Sequence, residues 1–309
     1  MRSSLALIAT AGAVVIALTG CTAPAPAPVA SPGDSSDAVV VTGDFGSEPR
    51  VEFPTPLAPP ETQCTEVIAG EGDYLQEGQF VLLGASLFDG TTGEQVQAVG
   101  YDEPAQLVLG DGTLPAFTHG LSCAREGSRV VVVAPSEEVG GEEGQGSLVA
   151  VFDVQRAFPL RADGSVRLTR DGFPAVVLAP DGRPGITVPE ADPFENTEVE
   201  VLKQGNGQVV EDGDSVVVHY TGVVWETGKV FDSSWETKEE DNPTPGPRTF
   251  VVGEGGEVVP GFSDAIVGQK VGSQVGVVVA PVDGYGDQAS GDIPANATLF
   301  FVIDILGVI

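Results

Sequence analysis

The chain matches itself: blocks from its first half recur, in the same order, in its second half. The longest match sets residues 65–83 (TEVIAGEGDYLQEGQFVLL) against residues 197–222 (TEVEVLKQGNGQVVEDGDSVVVHYTG). The other matched blocks are residues 48–54 with 183–189, 104–117 with 247–262, 125–135 with 270–281, and 147–154 with 298–305. Because so many ordered matches do not arise from composition alone, the sequence indicates a tandem duplication of one domain.

Each copy is predicted to be mostly β-structure. In the second copy, residues 215–224 (SVVVHYTGVV) and 298–306 (TLFFVIDIL) are rich in Val, Ile and Phe and are bounded by Gly and acidic turn residues, which is typical of strands. One short helix is predicted over residues 261–268 (GFSDAIVG), with Ser263 as its N-cap and Gly268 at its end. A sheet with one short helix on its face is an α+β architecture.

The charge of the chain excludes one large class of partner. Lys and Arg number 14 against 45 Asp and Glu, which gives a formal net charge of −31. Nucleic acid is therefore not an expected partner, because phosphate binding depends on Lys and Arg. An anionic membrane surface would repel the chain for the same reason, so membrane attachment would have to be hydrophobic or covalent.

The N-terminus offers a covalent attachment. Arg2 precedes an apolar run over residues 5–18, which is too short to span about 30 Å of hydrocarbon comfortably. The next residues, LTGC, resemble the lipobox of bacterial lipoproteins, so residues 1–20 are predicted to be a lipoprotein signal peptide and Cys21 the lipidated residue. The alternative is an ordinary secretory signal with an incidental Cys. Acyl chains on Cys21 would anchor an extracytoplasmic protein to the bacterial cell membrane.

The remaining chain divides at changes in composition. Residues 21–44 are Ala/Pro-rich and then Ser/Gly/Asp-rich, and they are predicted to be a tether between the lipidated Cys and the first domain. The copies themselves are assigned to residues 45–160 and 196–309. Residues 161–195 form an inter-domain segment in which residues 173–178 are predicted to pack as an extra strand.

Cysteine usage fits an oxidising compartment. With Cys21 lipidated, Cys64 and Cys123 remain as an even pair, and a disulfide between them is favoured over two free thiols. No metal site is predicted, because His119 and His219 lie far apart and provide no ligand spacing with the cysteines.

The second copy resembles a known family. The motifs VVVHYTGVVWETGKVFDSSW, VVPGFSDAIVGQKVGS, VAPVDGYGD and IPANATLFFVIDIL follow one another over roughly 110 residues. In order and spacing they resemble FKBP-type peptidyl-prolyl cis-trans isomerases. The resemblance implies two tandem FKBP-like domains, the first of them degenerate, each a bent antiparallel β-sheet wrapped around one short α-helix. It also implies an apolar pocket between the sheet and the helix.

The resemblance assigns the pocket residues. Tyr220, Asp232 and Tyr285 are the predicted catalytic residues, with Tyr220 and Asp232 at the polar edge and the Tyr285 hydroxyl holding a substrate carbonyl together with the Val259 backbone N–H. The predicted substrate-binding residues are Phe231, Phe250, Val258, Val259, Phe262, Ile293 and Phe301. No metal or organic cofactor is required, since the reaction makes and breaks no bond.

Some residues depart from the family pattern. Phe262 stands where the pocket floor is often Trp, Arg248 stands where many members have an aromatic wall residue, and residues 236–247 are an acidic insertion. The first copy keeps Phe117 as the counterpart of Phe262. Its counterparts of Tyr220, Phe231, Asp232 and Phe301 are Ala85, Val96, Gln97 and Ala150. The first copy is therefore predicted to be catalytically inactive or nearly so.

Two functions from different classes follow from these observations. The leading one is a lipid-anchored prolyl isomerase that assists the folding of secreted or cell-envelope proteins, with proline-containing polypeptides as its clients. The alternative is a non-catalytic client-binding chaperone that uses the same groove. Macrolide inhibitors are a further ligand class that the resemblance implies.

Overall fold

The structure, a computed structural model, describes residues 27–110, 112–142, 144, 146–236 and 245–309. The predicted signal peptide, Cys21 with the start of the tether, and most of the acidic insertion lie outside the described residues. Within the described ranges, no helix is long and apolar enough to cross a membrane.

The first half of the chain builds a two-stranded hairpin and a six-stranded sheet. A four-residue helix, α1 (Asp34–Asp37), precedes the hairpin, a second helix, α2 (Pro115–Leu121), lies between the sixth and seventh strands, and a short 3-10 helix (Ser136–Val139) follows the seventh strand. The elements in chain order are β1 (Val40–Thr42), β2 (Arg50–Glu52), β3 (Gln63–Ile68), β4 (Phe80–Asp89), β5 (Gln95–Val99), β6 (Ala105–Val108), α2 (Pro115–Leu121), β7 (Arg129–Pro135) and β8 (Ser147–Ala157).

The second half repeats this plan with a second hairpin, formed by β10 and β11, and a seven-stranded sheet. The elements in chain order are β9 (Ser165–Val166), β10 (Ala175–Leu178), β11 (Pro184–Thr187), β12 (Glu198–Gln204), β13 (Ser215–Val224), β14 (Val230–Ser233), β15 (Arg248–Val251), α3 (Pro260–Ile266), β16 (Gln274–Val279) and β17 (Leu299–Val308). The expectation of a mostly β chain with few, short helices is confirmed.

The two sheets have the same strand order. The first runs β3-β7-β8-β4-β5 with β6 also paired to β4, and the second runs β12-β16-β17-β13-β14 with β15 also paired to β13. All of these pairs are antiparallel, and the register shifts in β4 between Leu82 and Leu83 just as it shifts in β13 between Val217 and Val218. The sequence match therefore corresponds to the same topology in each half, down to the position of a bulge.

The helix of the second copy begins slightly earlier than predicted. It covers Pro260–Ile266, and its N-cap is Val259 rather than Ser263. Pro260 supplies the fixed φ that suits the first helical position, which explains the earlier start. Ser263 lies inside the helix, where its hydroxyl accepts a hydrogen bond from the Gly253 N–H at 2.5 Å.

Both faces of each sheet are apolar, and each hairpin covers part of the outer face. In the second sheet, Phe301 belongs to the core on the helix side, whereas its neighbour Phe300 packs in a separate cluster on the other face. Val176 of β10 and Ile186 of β11 pack against that outer cluster. In the first sheet, the β1–β2 hairpin packs in the same way on the outer cluster that contains Phe88.

The tether prediction is wrong for the described part of residues 21–44. Ala30 and Val39 are buried, and Ser31 forms a parallel bridge with Gln63 at the edge of the first sheet. The reason is that this segment carries apolar side chains that cover the outer face and the edge of the sheet. Composition alone, rich in Ser, Gly and Asp, does not reveal that role.

The extra strand predicted over residues 173–178 forms, but it does not join the sheet. β10 pairs with β11 in its own two-stranded hairpin. The short strand β9 is the part of the inter-domain segment that extends the second sheet, through β12. Residues 161–195 are therefore packed onto the second sheet over much of their length.

A buried aspartate in each sheet holds the segment that leads into it. Asp153 accepts hydrogen bonds from the Arg129 guanidinium at 2.5 and 2.7 Å and from the Gly46 N–H at 2.7 Å. The same position in the second sheet is Asp304, which accepts from the Gln274 side chain at 2.6 Å and from the Ala162 N–H at 2.9 Å. Each carboxylate thus joins the sheet to the chain outside it.

The predicted cysteine pair is a disulfide in the structure. Cys64 lies in β3 and Cys123 follows α2, and their Cα atoms are 6.4 Å apart. The bridge therefore ties the short helix of the first copy to the sheet edge.

The Arg129–Asp153 pair generates a stability prediction. Both side chains are almost completely buried, so Asp153→Ala would leave an unpaired guanidinium in the interior. Removing one partner of a buried pair typically costs about 3–5 kcal/mol. We expect a loss of that size in the free energy of unfolding, measured by chemical denaturation. The control is Glu198→Gln, which breaks a surface pair with Arg170 and should cost less than about 1 kcal/mol. Equal losses of unfolding free energy in the two variants would contradict the assignment of Arg129–Asp153 as a buried, stabilising pair.

Candidate functional site

A cavity opens between the second sheet and its helix. Its volume is about 420 Å³. The residues that line it come from β13, β14, β15, β17, the loop before α3, α3 itself and the loop after β16: Tyr220, Phe231, Asp232, Phe250, Glu257, Val258, Val259, Phe262, Tyr285 and Phe301. Most of these side chains are apolar, and the polar ones are two tyrosines and two carboxylates.

Gly222 makes room for two walls of the cavity. It lies in β13 opposite Phe301 of β17. A Cβ atom at this position would fall 2.5 Å from the Phe231 ring and 2.8 Å from the Phe301 ring, so any larger residue would displace one of them. The two rings meet edge to face, with their centroids 5.4 Å apart.

Phe262 forms the floor of the cavity. Its ring, at the start of α3, meets Phe301 at 5.2 Å, Tyr220 at 5.7 Å and Phe250 at 6.0 Å, each in an edge-to-face arrangement. These contacts pack four aromatic side chains against each other and give the cavity an apolar wall.

Tyr220 and Asp232 form the polar edge. The Tyr220 hydroxyl donates a hydrogen bond to Asp232 Oδ2 at 2.5 Å, and Asp232 Oδ1 accepts from the Ser233 N–H at 2.9 Å. Burial, together with the bond to Asp232, raises the pKa of Tyr220 above its usual value. Its hydroxyl therefore stays protonated and keeps the carboxylate in place.

Tyr285 and Val259 supply two further polar groups to the cavity. The Tyr285 side chain is 40% exposed, and partial burial with the nearby Asp232 charge raises its pKa, so its hydroxyl is a donor at neutral pH. Val259 is the N-cap of α3, a position at which the backbone N–H takes no part in the intrahelical hydrogen bonds. Both groups can donate to carbonyl oxygens of a bound ligand.

A second layer of residues supports Tyr220 from behind. The Ser234 hydroxyl accepts a hydrogen bond from the Tyr220 N–H at 2.9 Å and bonds His219 Nδ1 at 2.7 Å. The His219 ring stacks on Trp235 with centroids 3.8 Å apart. Burial, with a smaller contribution from the Arg248 charge, lowers the pKa of His219 to about 3, so this imidazole is neutral at physiological pH.

The structure brings together nearly all of the residues expected at the site. The exception is Ile293, which is 5% exposed and packs in the core beside the cavity rather than lining it. Its position in the family motif places it near the pocket, but its side chain contributes to the core. The chemical roles of the lining residues stay predictions.

Glu257 is a lining residue that the sequence analysis missed. It precedes Val258 and Val259 directly, and its exposed carboxylate stands at the rim. Its adjacency to two predicted pocket residues was the available signal. Arg248, in contrast, is not among the lining residues; its guanidinium donates to the Gly246 carbonyl at 3.1 Å.

The equivalent position in the first sheet is filled. Leu87 stands where the second sheet has Gly222, and it faces Ala150 where the second sheet has Phe301. The small and the large residue have thus exchanged strands. Val96 and Gln97, the counterparts of Phe231 and Asp232, are exposed on β5. Phe117 keeps a core role through an edge-to-face contact with Phe152 at 5.2 Å.

The cavity of the second sheet can enclose a small apolar ring and hold the polar groups attached to it. Six of the ten lining residues are aromatic, and the lining also offers hydroxyl, N–H and carboxylate groups. Among the described residues, no group of three or more His, Cys, Asp or Glu side chains could hold a metal ion. The arrangement suits binding and reorientation of a ligand.

Comparisons with known proteins point to one family. The sequence model described as FKBP-type peptidyl-prolyl cis-trans isomerase matches residues 207–306. FK506-binding protein 1A of Neurospora crassa is 36% identical over 125 residues, which cover 40% of this chain and 94% of that protein. A probable FK506-binding protein of Corynebacterium glutamicum is 31% identical over 125 residues, or 40% of this chain and 97% of its own length.

One solved structure extends over more of the chain. The crystal structure of the three FKBP domains of wheat FKBP73 covers 81% of this chain and 95% of its own, at 17% identity and a TM-score of 0.34.

The buried His219 generates a prediction about pH. Its pKa in the folded protein is about 3, below the ordinary value of 6.5, so the unfolded chain gains a proton that the folded chain does not. Stability should therefore fall as the pH drops from about 6.5 toward 3, by up to about 1.4 kcal/mol per pH unit from this group. In His219→Asn, which can keep the bond to Ser234, we expect a shallower decline in denaturation experiments.

The surface histidine His119 provides the control for this experiment. His119→Gln changes the other histidine of the chain, whose side chain is 44% exposed and pairs with Glu138 at 2.9 Å, and so shows what the loss of a surface histidine does to the pH dependence. If the stability of His219→Asn fell with decreasing pH as steeply as that of the wild type, the assignment of a neutral buried imidazole would be contradicted.

Proposed function

The chain belongs to the FKBP-type peptidyl-prolyl cis-trans isomerase family, and we propose that its activity resides in the cavity of the second sheet. The observation that carries this proposal is the convergence of Tyr220, Asp232 and the aromatic residues around one largely apolar cavity of about 420 Å³. The residues that the family model matches, 207–306, include all of the lining residues.

The chemistry of the reaction suits this cavity. Rotation about an X-Pro bond makes and breaks no covalent bond, and its barrier of about 18–20 kcal/mol is the loss of amide resonance on twisting. The uncatalysed step takes tens of seconds or more. A twisted amide has less charge separation than a planar one, so an apolar site stabilises it relative to the ground state. The aromatic floor and walls would enclose the proline ring.

The polar groups would fix the polypeptide around that ring. The Tyr285 hydroxyl and the Val259 N–H would donate to substrate carbonyl oxygens. The Tyr220 hydroxyl donates its proton to Asp232, and this bond fixes the carboxylate at the polar edge of the cavity. With both ends of the peptide held, rotation occurs about the bond between them.

The first copy is proposed to be a degenerate FKBP-like domain without activity of its own. It shares the strand order of the second sheet, which supports the proposal of two tandem FKBP-like domains. The exchange of the large residue between strands, Leu87 for Gly222 and Ala150 for Phe301, removes the space that a proline ring would need.

We further propose that the protein works outside the cytoplasm, held to the bacterial cell membrane by lipid on Cys21. The LTGC sequence before and at Cys21 supports this, and so does the Cys64–Cys123 disulfide, because such bridges persist in oxidising compartments. Its clients would then be proline-containing segments of secreted or cell-envelope proteins. Since the relatives are named FK506-binding proteins, the same cavity is the proposed site for macrolides of that kind.

A matched pair of variants tests the proposal. Phe262→Leu removes the aromatic floor of the second cavity, and Phe117→Leu makes the same change at the equivalent position of the first copy. In the full chain, we expect kcat/KM for an X-Pro peptide to fall about tenfold in Phe262→Leu, equivalent to about 1.4 kcal/mol of lost transition-state binding. Phe117→Leu should stay within about twofold of the wild type.

Three other results would count against the proposal. A folded wild-type chain that binds the peptide without accelerating isomerisation would support a non-catalytic chaperone instead. Equal losses in the two variants would place the effect on overall stability rather than on the cavity. A loss confined to Phe117→Leu would move the site to the first copy.

A further inference from the structure

The first copy covers the outer face of the strands that carry the site. Val217 of β13 and Leu306 of β17 face away from the cavity and are almost completely buried. They form one apolar cluster with Phe80, Leu82 and Phe158 of the first half, against which Val108 packs. β13 is therefore held between the cavity on one side and the first copy on the other.

Val108 packs against the segment that leads into β15, the strand whose Phe250 lines the cavity. It is the last residue of β6, and it lies against Gly246, two residues before β15. A Cβ atom at Gly246 would fall 2.6 Å from Val108 Cγ1, and Gly246 has φ +147°, so only glycine suits this buried position. The backbone here is thus in direct van der Waals contact with the first copy.

A short series of hydrogen bonds leads from this contact to the polar edge of the cavity. The Gly246 N–H donates to the Ser234 carbonyl at 2.8 Å, and the Ser234 N–H donates to the Tyr220 carbonyl at 3.0 Å. The Ser234 hydroxyl also accepts from the Tyr220 N–H at 2.9 Å. The Tyr220 hydroxyl in turn holds Asp232. The series of contacts from Val108 to Tyr220 therefore runs through Gly246 and Ser234.

We propose that Val108 of the degenerate first copy is a positioning residue for the Tyr220–Asp232 pair. Its side chain stops the Gly246 backbone from moving outward, and the bonds through Ser234 pass that restraint to Tyr220. The first copy thus contributes to the site of its neighbour although it is proposed to have no activity of its own. This inference rests on the proposed function, because the value of positioning the pair is catalytic.

The location of the contact supports a catalytic effect. A shift of about 1 Å in a positioned group can cost a hundredfold in rate. Restraint of the backbone behind Tyr220 by the small contact between Val108 and Gly246 is therefore expected to affect the rate. A Val→Ala change at Val108 removes two methyl groups from the contact and leaves the backbone of β6 unchanged. Val108 is not among the residues that line the cavity.

The experiment compares two valine truncations in the full chain. Val108→Ala removes the contact with Gly246. Val51→Ala truncates another half-buried valine of the first copy, one that lies in β2 of the hairpin and packs on the cluster that contains Phe88. Rates are divided by the folded fraction measured for each variant. We expect kcat to fall about three- to tenfold in Val108→Ala with KM little changed, and no change in Val51→Ala.

Backbone amide NMR separates positioning from stability. In Val108→Ala, the amide resonances of Ser234 and Tyr220 are expected to shift, whereas in Val51→Ala they are expected to stay at the wild-type positions. These signals come from folded molecules, so partial unfolding does not hide the result. Val108→Thr, which keeps the branched shape, should restore both the rate and the resonances.

Wild-type kcat and unshifted Tyr220 and Ser234 resonances in Val108→Ala would overturn the proposal, and so would equal effects in Val51→Ala. The wild-type chain serves as the reference for the proposed function itself. If it does not accelerate isomerisation, the proposed function fails and the catalytic role of Val108 fails with it. Resonance shifts confined to Val108→Ala would then still establish the physical link to Tyr220.

Discussion

The structure depends on covering a sheet that is apolar on both faces. In each copy the inner face packs on a short helix, and in the second copy it also forms the cavity. The outer face would expose rows of Val, Leu and Phe to water if it stood alone, as Phe300 and Val217 illustrate. Two devices cover it: a hairpin that precedes each sheet, and the outer face of the other copy. The duplication therefore supplies each sheet with part of the cover that it needs.

This arrangement separates the scaffold from the site. Both copies keep the strand order, the bulges and a buried aspartate that holds the incoming chain, because all of these maintain the sheet. The cavity depends on a much smaller set of residues, above all a glycine on β13 opposite an aromatic residue on β17. Exchange of large and small residues at that pair, as in Leu87 and Ala150, closes the space without disturbing the sheet.

The sequence predicted the site better than it predicted the surroundings of the sheets. The family resemblance of the ordered motifs assigned Tyr220, Asp232 and Tyr285 to one pocket, and the structure places all three around one cavity, while their chemical roles stay predictions. The segment before the first sheet was misjudged as a tether, since its Ser- and Gly-rich composition hides the few apolar residues that pack on a distant sheet face. The contact between Val108 and Gly246 was equally hidden, because it joins residues far apart in the chain. Ile293 shows the limit of motif position, which places a residue near the cavity but does not set where its side chain points.

The most direct test is exchange NMR of an X-Pro peptide in the presence of a catalytic amount of the full chain, with the resonances of the protein followed in the same titration. The account predicts accelerated exchange between the cis and trans peptide signals, with resonance changes centred on Tyr220, Phe262 and Phe301. Unchanged exchange with a folded chain would contradict it. Accelerated exchange with changes centred on Phe117 would contradict the assignment of the activity to the second sheet.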